Sequence, residues 1–225
     1  MAEDKITLEQ ITKEGKEIYV ELFQLGLSLA KKLRKDNDAG EKDSSRRAVL
    51  KGFLISGCQL SGQIIEAVSR EHLVLALIGL RSLLEFDINS SYIFDHPKHR
   101  HDSEWIYDLC KDLFDRANDL GKFKNKLGGV GIKQRAKEIG RPDLYEKNYA
   151  GLCDYSHLIL RPPFLNKTEI HKKLTPAIIS HSLCHLADII DAVIISNNFI
   201  WEHDLKNKVV SFRDKCEGMI EKNGN

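Results

Sequence analysis

The stretch Leu73-Val-Leu-Ala-Leu-Ile-Gly-Leu-Arg81-Ser-Leu-Leu-Glu85-Phe-Asp-Ile-Asn-Ser-Ser-Tyr-Ile-Phe94 carries the reading of the fold. It reads as a helix from about His72 to Phe94. From Leu73 to Leu80 it is apolar nearly all round, the pattern of a helix central to its bundle. Pro97 stops it, because the residue before a proline is pushed out of helical conformation. A histidine-rich loop, His96 to His101, follows the helix C-terminus, where cationic side chains are favoured.

Outward from this helix the chain reads as helix after helix. Leu22, Leu25, Leu29 and Leu33 mark a first helix from about Leu8 to Lys35. The polar segment Asp36–Asp43 is a connection. Ser44 or Ser45 caps a second helix running to about Arg70, and Gly52, Gly57 and Gly62 along it predict close approach of another helix. Ser103 and Glu104 start a fourth helix, to about Leu120. The Gly- and Lys-rich stretch Gly121–Gly131 reads as a flexible basic loop that reaches to about residue 133. Short helices are expected over Lys133–Ile139 and from Pro142 to about Leu160. Pro162-Pro163 breaks the pattern, Thr175-Pro176 restarts it to about Trp201, and an amphipathic helix covers Asp204–Glu221. The tail at 222–225 should fray. No strand and no repeat is evident, so the expectation is one all-α domain over 1–225, a bundle of about seven helices with no sheet.

Composition bounds what such a bundle does. The chain has 225 residues, 42% apolar and 30% charged, with 34 basic against 33 acidic side chains. A net charge of +1 argues against a nucleic-acid coat or a membrane-surface binder, though not against a local basic patch. The acidic start, Met-Ala-Glu-Asp-Lys, does not resemble a secretory signal. The apolar window Ile178–Ile200 contains His181, His185, Asp188 and Asp191, which are costly in lipid, so no membrane span is expected. Five widely spaced cysteines (Cys58, Cys110, Cys153, Cys184, Cys216) lack the short gaps of a zinc site. They predict a reducing compartment, most simply the cytoplasm.

Four groups of residues could carry chemistry. Arg81 and Glu85, four apart, share a helix face with Leu77, Leu84, Ile88 and Tyr92. They form either a structural ion pair or a polar pocket in which Arg81 grips an anion and Glu85 orients it. In Tyr149-Ala-Gly-Leu-Cys-Asp-Tyr-Ser-His157, Cys153 and His157 are one turn apart with Asp154 between them. That spacing fits a thiolate–imidazole pair, or simply a helical histidine with a satisfied partner. His181, His185 and Asp188 lie along one stripe, where two imidazoles and a carboxylate hold a metal or face water. Lys122, Lys124 and Lys126, in a segment with seven basic groups, could meet phosphates. No P-loop, His-Glu-x-x-His or Glu-x-x-His pattern occurs, and no cofactor is named by the sequence.

The helix Gly79-Leu-Arg-Ser-Leu-Leu-Glu-Phe-Asp-Ile and the later Tyr149-x-x-Leu-Cys-Asp-Tyr-Ser-His157 together resemble an uncharacterised bacterial family of all-helical proteins. In that family an Arg-x-x-x-Glu helix precedes a tyrosine-rich Leu-Ser-x-x-x-His helix. The likeness covers roughly residues 45 to 160. It implies Arg81, Glu85, Tyr149 and His157 as a shared polar set, with Cys153 where a serine is usual and Leu158 where a proline is common. The family is in turn reminiscent of the helical HEPN (higher eukaryotes and prokaryotes nucleotide-binding) superfamily, whose RNase members need an arginine followed by a histidine four to six residues on. None of the eleven arginines here has one.

Three readings follow. The first is a defence- or stress-associated protein acting on RNA or nucleotides, with His157 as general acid/base and Arg81 on phosphate. The second is a non-catalytic module that homodimerises or binds another protein. The third is a metal-dependent enzyme using His181 and His185.

Overall fold

In a computed structural model of the chain the described residues are 6–33, 41–118, 126–149, 152, 167–197, 199 and 203–222. Seven α-helices account for most of them: α1 (Leu8–Lys32), α2 (Glu41–Ser69), α3 (Leu73–Phe94), α4 (Ser103–Asn118), α5 (Ile132–Glu138), α6 (Lys167–Ser196) and α7 (His203–Lys222). A π-helical segment, Leu144–Tyr149, lies between α5 and α6. The chain is an all-α multi-helix bundle.

Local sequence explains the ends of these helices. Thr7 caps α1 with a reciprocal box: its hydroxyl accepts from the Gln10 amide, and the Gln10 side chain accepts from the Thr7 amide. At the end of α2 the His72 amide donates to the Ala67 carbonyl and the Glu71 amide to that of Val68. This is a Schellman closure that puts Glu71 at φ 60°, a left-handed position glycine usually takes. The same closure ends α5 with the favoured residue: Gly140 has φ 74°, and the Arg141 amide donates to the Ala136 carbonyl.

The loop expected over Gly121–Gly131 is corrected where it is described. Lys126–Leu127 pairs with Val130–Gly131 in a minimal antiparallel hairpin, and both central residues, Gly128 and Gly129, have positive φ. A two-residue Gly-Gly turn of this kind matches the right-handed twist of the strands it joins. The hairpin is pinned to α4 by the Gly128 amide, which donates to Asp112 Oδ2 at 2.9 Å. It closes a turn and adds no layer to the bundle.

Two further expectations change. α6 does not restart at Thr175-Pro176 but runs through Pro176 from Lys167. Thr175 is buried there, so packing against the bundle holds the helix where the missing proline amide would weaken it. The Leu73–Leu80 end of α3 is also not the deepest part of its helix. Val74, Leu75 and Ile78 are 50%, 61% and 37% exposed. The deep section is Leu83–Phe94.

α3 packs most extensively on α6, and α2 packs on both. Buried leucines and isoleucines of α1, α2, α3 and α6 form one core, with a hydroxyl pair between Ser61 and Ser182 (2.8 Å) pinning α2 to α6 inside it. By length and composition two helical stretches could cross a membrane, Ser45–Ser69 and Lys172–Ser196, with 44% and 72% of their apolar windows buried within the bundle. Core helices meet the same criterion, so these stretches do not decide location. Cys58, Cys110 and Cys216 are buried free thiols, pushed up to about 12 by burial, and pack as small hydrophobes.

Candidate functional site

Two polar clusters meet α3 on different faces. The first is the expected Arg81–Glu85 pair, joined by a residue from the π-helical segment. The Tyr149 hydroxyl donates to Glu85 Oε1 at 2.5 Å and accepts from Arg81 Nη2 at 3.1 Å. Arg81 Nε lies 3.7 Å from Glu85 Oε1. Burial, then the hydrogen bond to Glu85, pushes the Tyr149 phenol up to about 12 against the pull of Arg81. Tyr149 therefore keeps its proton and links the two charges as a relay, not as a base.

This cluster continues outward as a stack. The Arg81 guanidinium lies 5.1 Å from the Tyr149 ring centroid. Tyr149 stacks on Tyr145 at 5.3 Å with 22° between planes, and Lys133 Nζ is 5.8 Å from the Tyr145 centroid. The one-turn spacing of Tyr145 and Tyr149 within the π-helical segment places both rings on one side. Beside the stack is a cleft of about 290 Å³ lined by Lys133, Gln134, Lys137, Pro142 and Glu146.

The second cluster centres on Asp87, whose side chain is fully buried; His185 is buried beside it, while the Arg141 and Asp188 side chains stay about a third exposed. Asp87 Oδ1 accepts from Arg141 Nη1 at 3.0 Å and Oδ2 from His185 Nδ1 at 2.8 Å. Ser91 Oγ approaches Oδ1 at 3.4 Å. Arg141 also donates through Nη2 to Asp188 Oδ2 at 2.5 Å, so one guanidinium bridges two carboxylates. Burial and the adjacent Asp87 raise Asp188 to about 6, while Arg141 and His185 oppose that rise. Burial disfavours the Arg141 charge, but the two carboxylates outweigh it and raise its pKa. The Gly140 turn delivers Arg141 to this position.

His185 links this cluster to open space. It is 3% exposed and lines a cavity of about 170 Å³ between α3, the π-helical segment and α6, together with Leu77, Leu80, Asn148, Ile178 and His181. Because Nδ1 is engaged by Asp87, Nε2 is the nitrogen left for the cavity. His181 stacks on His185 at 6.0 Å. Desolvation, then the His185 ring, lowers His181 to about 4.

The fold gathers only some of the residues that the sequence nominates. Arg81, Glu85 and Tyr149 come together. His157, Cys153, Asp154, Lys122 and Lys124 lie outside the described residues, and Lys126 is described only as backbone in the hairpin. Among the described residues, one group of three side chains is near enough to share a cation: Asp87, His185 and Asp188, whose ligand atoms lie within 4.8 Å of one another. His181 is not among them. Arg141 already supplies positive charge to both carboxylates, which leaves a metal little to add there.

Neither Asp87, within the Arg81–Glu85 helix, nor Arg141, at the end of the basic segment, is nominated as a site residue by the sequence. A third charge inside an otherwise apolar helix is the signal that marks Asp87. The histidine-rich loop packs as an aromatic cluster: His99 stacks on Trp105 at 4.7 Å, and His96 lies 5.2 Å from Trp105 and 5.3 Å from Tyr92. No family model matches this chain, and no curated protein or solved structure does either.

Proposed function

We propose that this protein binds RNA or nucleotides on the face formed by Lys133, Tyr145, Tyr149 and Arg81. The observation that carries the reading is the cation–ring–ring–cation stack beside a cleft lined by Lys133 and Lys137. Tyr149 is buried between Arg81 and Tyr145, so a base would stack on the outer face of the half-buried Tyr145, moving Lys133 off that ring to meet a phosphate. Arg81, which donates to Tyr149 and pairs with Glu85, is the guanidinium that would meet phosphate charge in this reading. In the same reading His157 is the general acid/base of any phosphodiester chemistry.

The test is titration of a fluorescein-labelled single-stranded RNA of mixed sequence over a range of salt. Tyr145→Ala should weaken binding by about 1–3 kcal/mol, the range for one stacked base. Lys133→Gln should lower the salt slope by about one while leaving the melting temperature unchanged. Binding that is insensitive to salt, or unchanged by Tyr145→Ala, sinks the reading.

A further inference from the structure

His181 and His185 stand one turn apart on α6 and line the same cavity. Their rings stack with centroids 6.0 Å apart and 20° between planes. An ion about 2.0–2.1 Å from an imidazole nitrogen lies about 3.2 Å from the centre of that ring, so two rings sharing one ion have centres no more than about 6.4 Å apart. The pair is inside that limit. His185 is held in place, while His181 is exposed and can turn its ring edge toward His185 to give the angle a shared ion needs.

The groups around the pair suit it to a cation. Asp87 Oδ2 lies 2.8 Å from His185 Nδ1, which leaves Nε2 as the ligand atom and is the carboxylate–imidazole arrangement that stands behind metal-bound histidines. Asp87 is itself fixed by Arg141 Nη1 at 3.0 Å. A metal ion displaces whatever proton Nε2 carries, so the site does not depend on the charge of His185 beforehand. The Lys147 ammonium, on the rim of the same cavity, is paired with Asp143 at 2.9 Å and its side chain is 74% exposed. Asp188, one turn further along α6, is taken by Arg141 and does not complete the shell.

We infer that His181 and His185 form a two-imidazole binding site for a late first-row divalent metal ion of the Zn²⁺ type, with Asp87 as the positioning residue behind His185. Imidazole nitrogens suit such ions, whereas Mg²⁺ and Ca²⁺ take oxygen ligands. Two protein ligands leave the other positions to water or to an oxygen of a bound molecule, so this is an open site and not a closed structural one. It goes beyond the stacking face and does not depend on it.

The experiment titrates Zn²⁺ and, separately, Mg²⁺ into the full chain, stripped with EDTA and carrying no histidine tag, and reads binding by calorimetry. Zn²⁺ should bind at a single site and Mg²⁺ should not. Co²⁺ in place of Zn²⁺ should give visible absorption bands from the imidazole-bound ion. His181→Gln should weaken Zn²⁺ binding about tenfold or more and remove the Co²⁺ bands. Its metal-free melting temperature should stay near wild type, because His181 is exposed. Asp87→Asn should weaken binding about 10–100-fold and shift the Co²⁺ bands, in protein that circular dichroism shows to be folded. The chain has nine histidines, so His99→Gln serves as the control and should bind as wild type does. No Zn²⁺ binding, equal binding of Mg²⁺, or binding that His181→Gln leaves unchanged overturns the inference.

Discussion

Asp87 is the residue on which the buried chemistry depends. With no exposure of its own, it is tolerable as an anion only because Arg141 and His185 donate to both of its oxygens. Removing one partner of such a buried set leaves the others uncompensated. Asp87→Ala should therefore cost about 3–5 kcal/mol of stability, whereas Asp87→Asn, which keeps an acceptor oxygen, should cost less. Urea unfolding of the two variants measures this, and equal, small losses would mean that the cluster is not under strain from burial. Arg81 and Glu85 are recognisable from sequence because a four-residue step fixes their shared face. Asp87 cannot be interpreted in that way. Its partners lie 54 and 98 positions away, a distance that no local periodicity spans.

At the scale of the element, glycines along the helices divide by what they face. The sequence pattern groups Gly52, Gly57 and Gly62 as sites of close approach, and the structure separates them. A Cβ on Gly57 would lie 3.2 Å from Ile189 of α6, and Gly62 lies against the Tyr19 ring of α1, but Gly52 has nothing within 4 Å. Gly26 of α1 is tighter than Gly57, with its Cβ position 2.6 Å from Cys58 Sγ. Gly52→Ala should stabilise the protein by about 0.5–1 kcal/mol, because alanine has less backbone freedom to lose. Gly26→Ala should destabilise it by about 1–3 kcal/mol through overpacking. Thermal melts of the two variants should shift in opposite directions; shifts of the same sign would refute the assignment of the α1–α2 contact. Helical spacing alone cannot make this distinction, since a glycine reads the same whether its missing side chain leaves room for a neighbour or for water.

Two of the shifted groups act on the stability of the whole molecule against pH with opposite signs. Asp188, raised from 3.8 to about 6, holds its proton in the folded chain after the unfolded chain has lost it. Its contribution is complete below 3.8 and is lost as pH rises through about 6. His181, lowered from 6.5 to about 4, does the reverse: its contribution is complete above 6.5 and is lost as pH falls through about 4. The groups facing them are Asp87, Arg141 and His185 for Asp188, and His185 for His181. Over their shared interval the two slopes offset each other. Relative to wild type, Asp188→Asn should make stability rise more steeply with pH between 3.8 and about 6. His181→Gln should make it fall across its own interval. Urea midpoints measured at a series of pH values test both signs, and parallel curves for wild type and the variants would overturn them.

That the chain is helical, roughly where its first three long helices run, and that Arg81 and Glu85 share a face can all be read from residue order alone. Those properties follow from a 3.6-residue period and from residues at helix ends, both of which are local. The sequence also carries a hairpin signal at Gly128-Gly129, which a search for helical periods does not register. The contact of Tyr149 with Arg81 and Glu85, the bridge from Arg141 to Asp87 and Asp188, and the hydrogen bond between His185 and Asp87 exist only once the helices pack. The reason is physical: a buried charge is stable only beside specific partners, and helix packing, not spacing along the chain, chooses which elements bring those partners together.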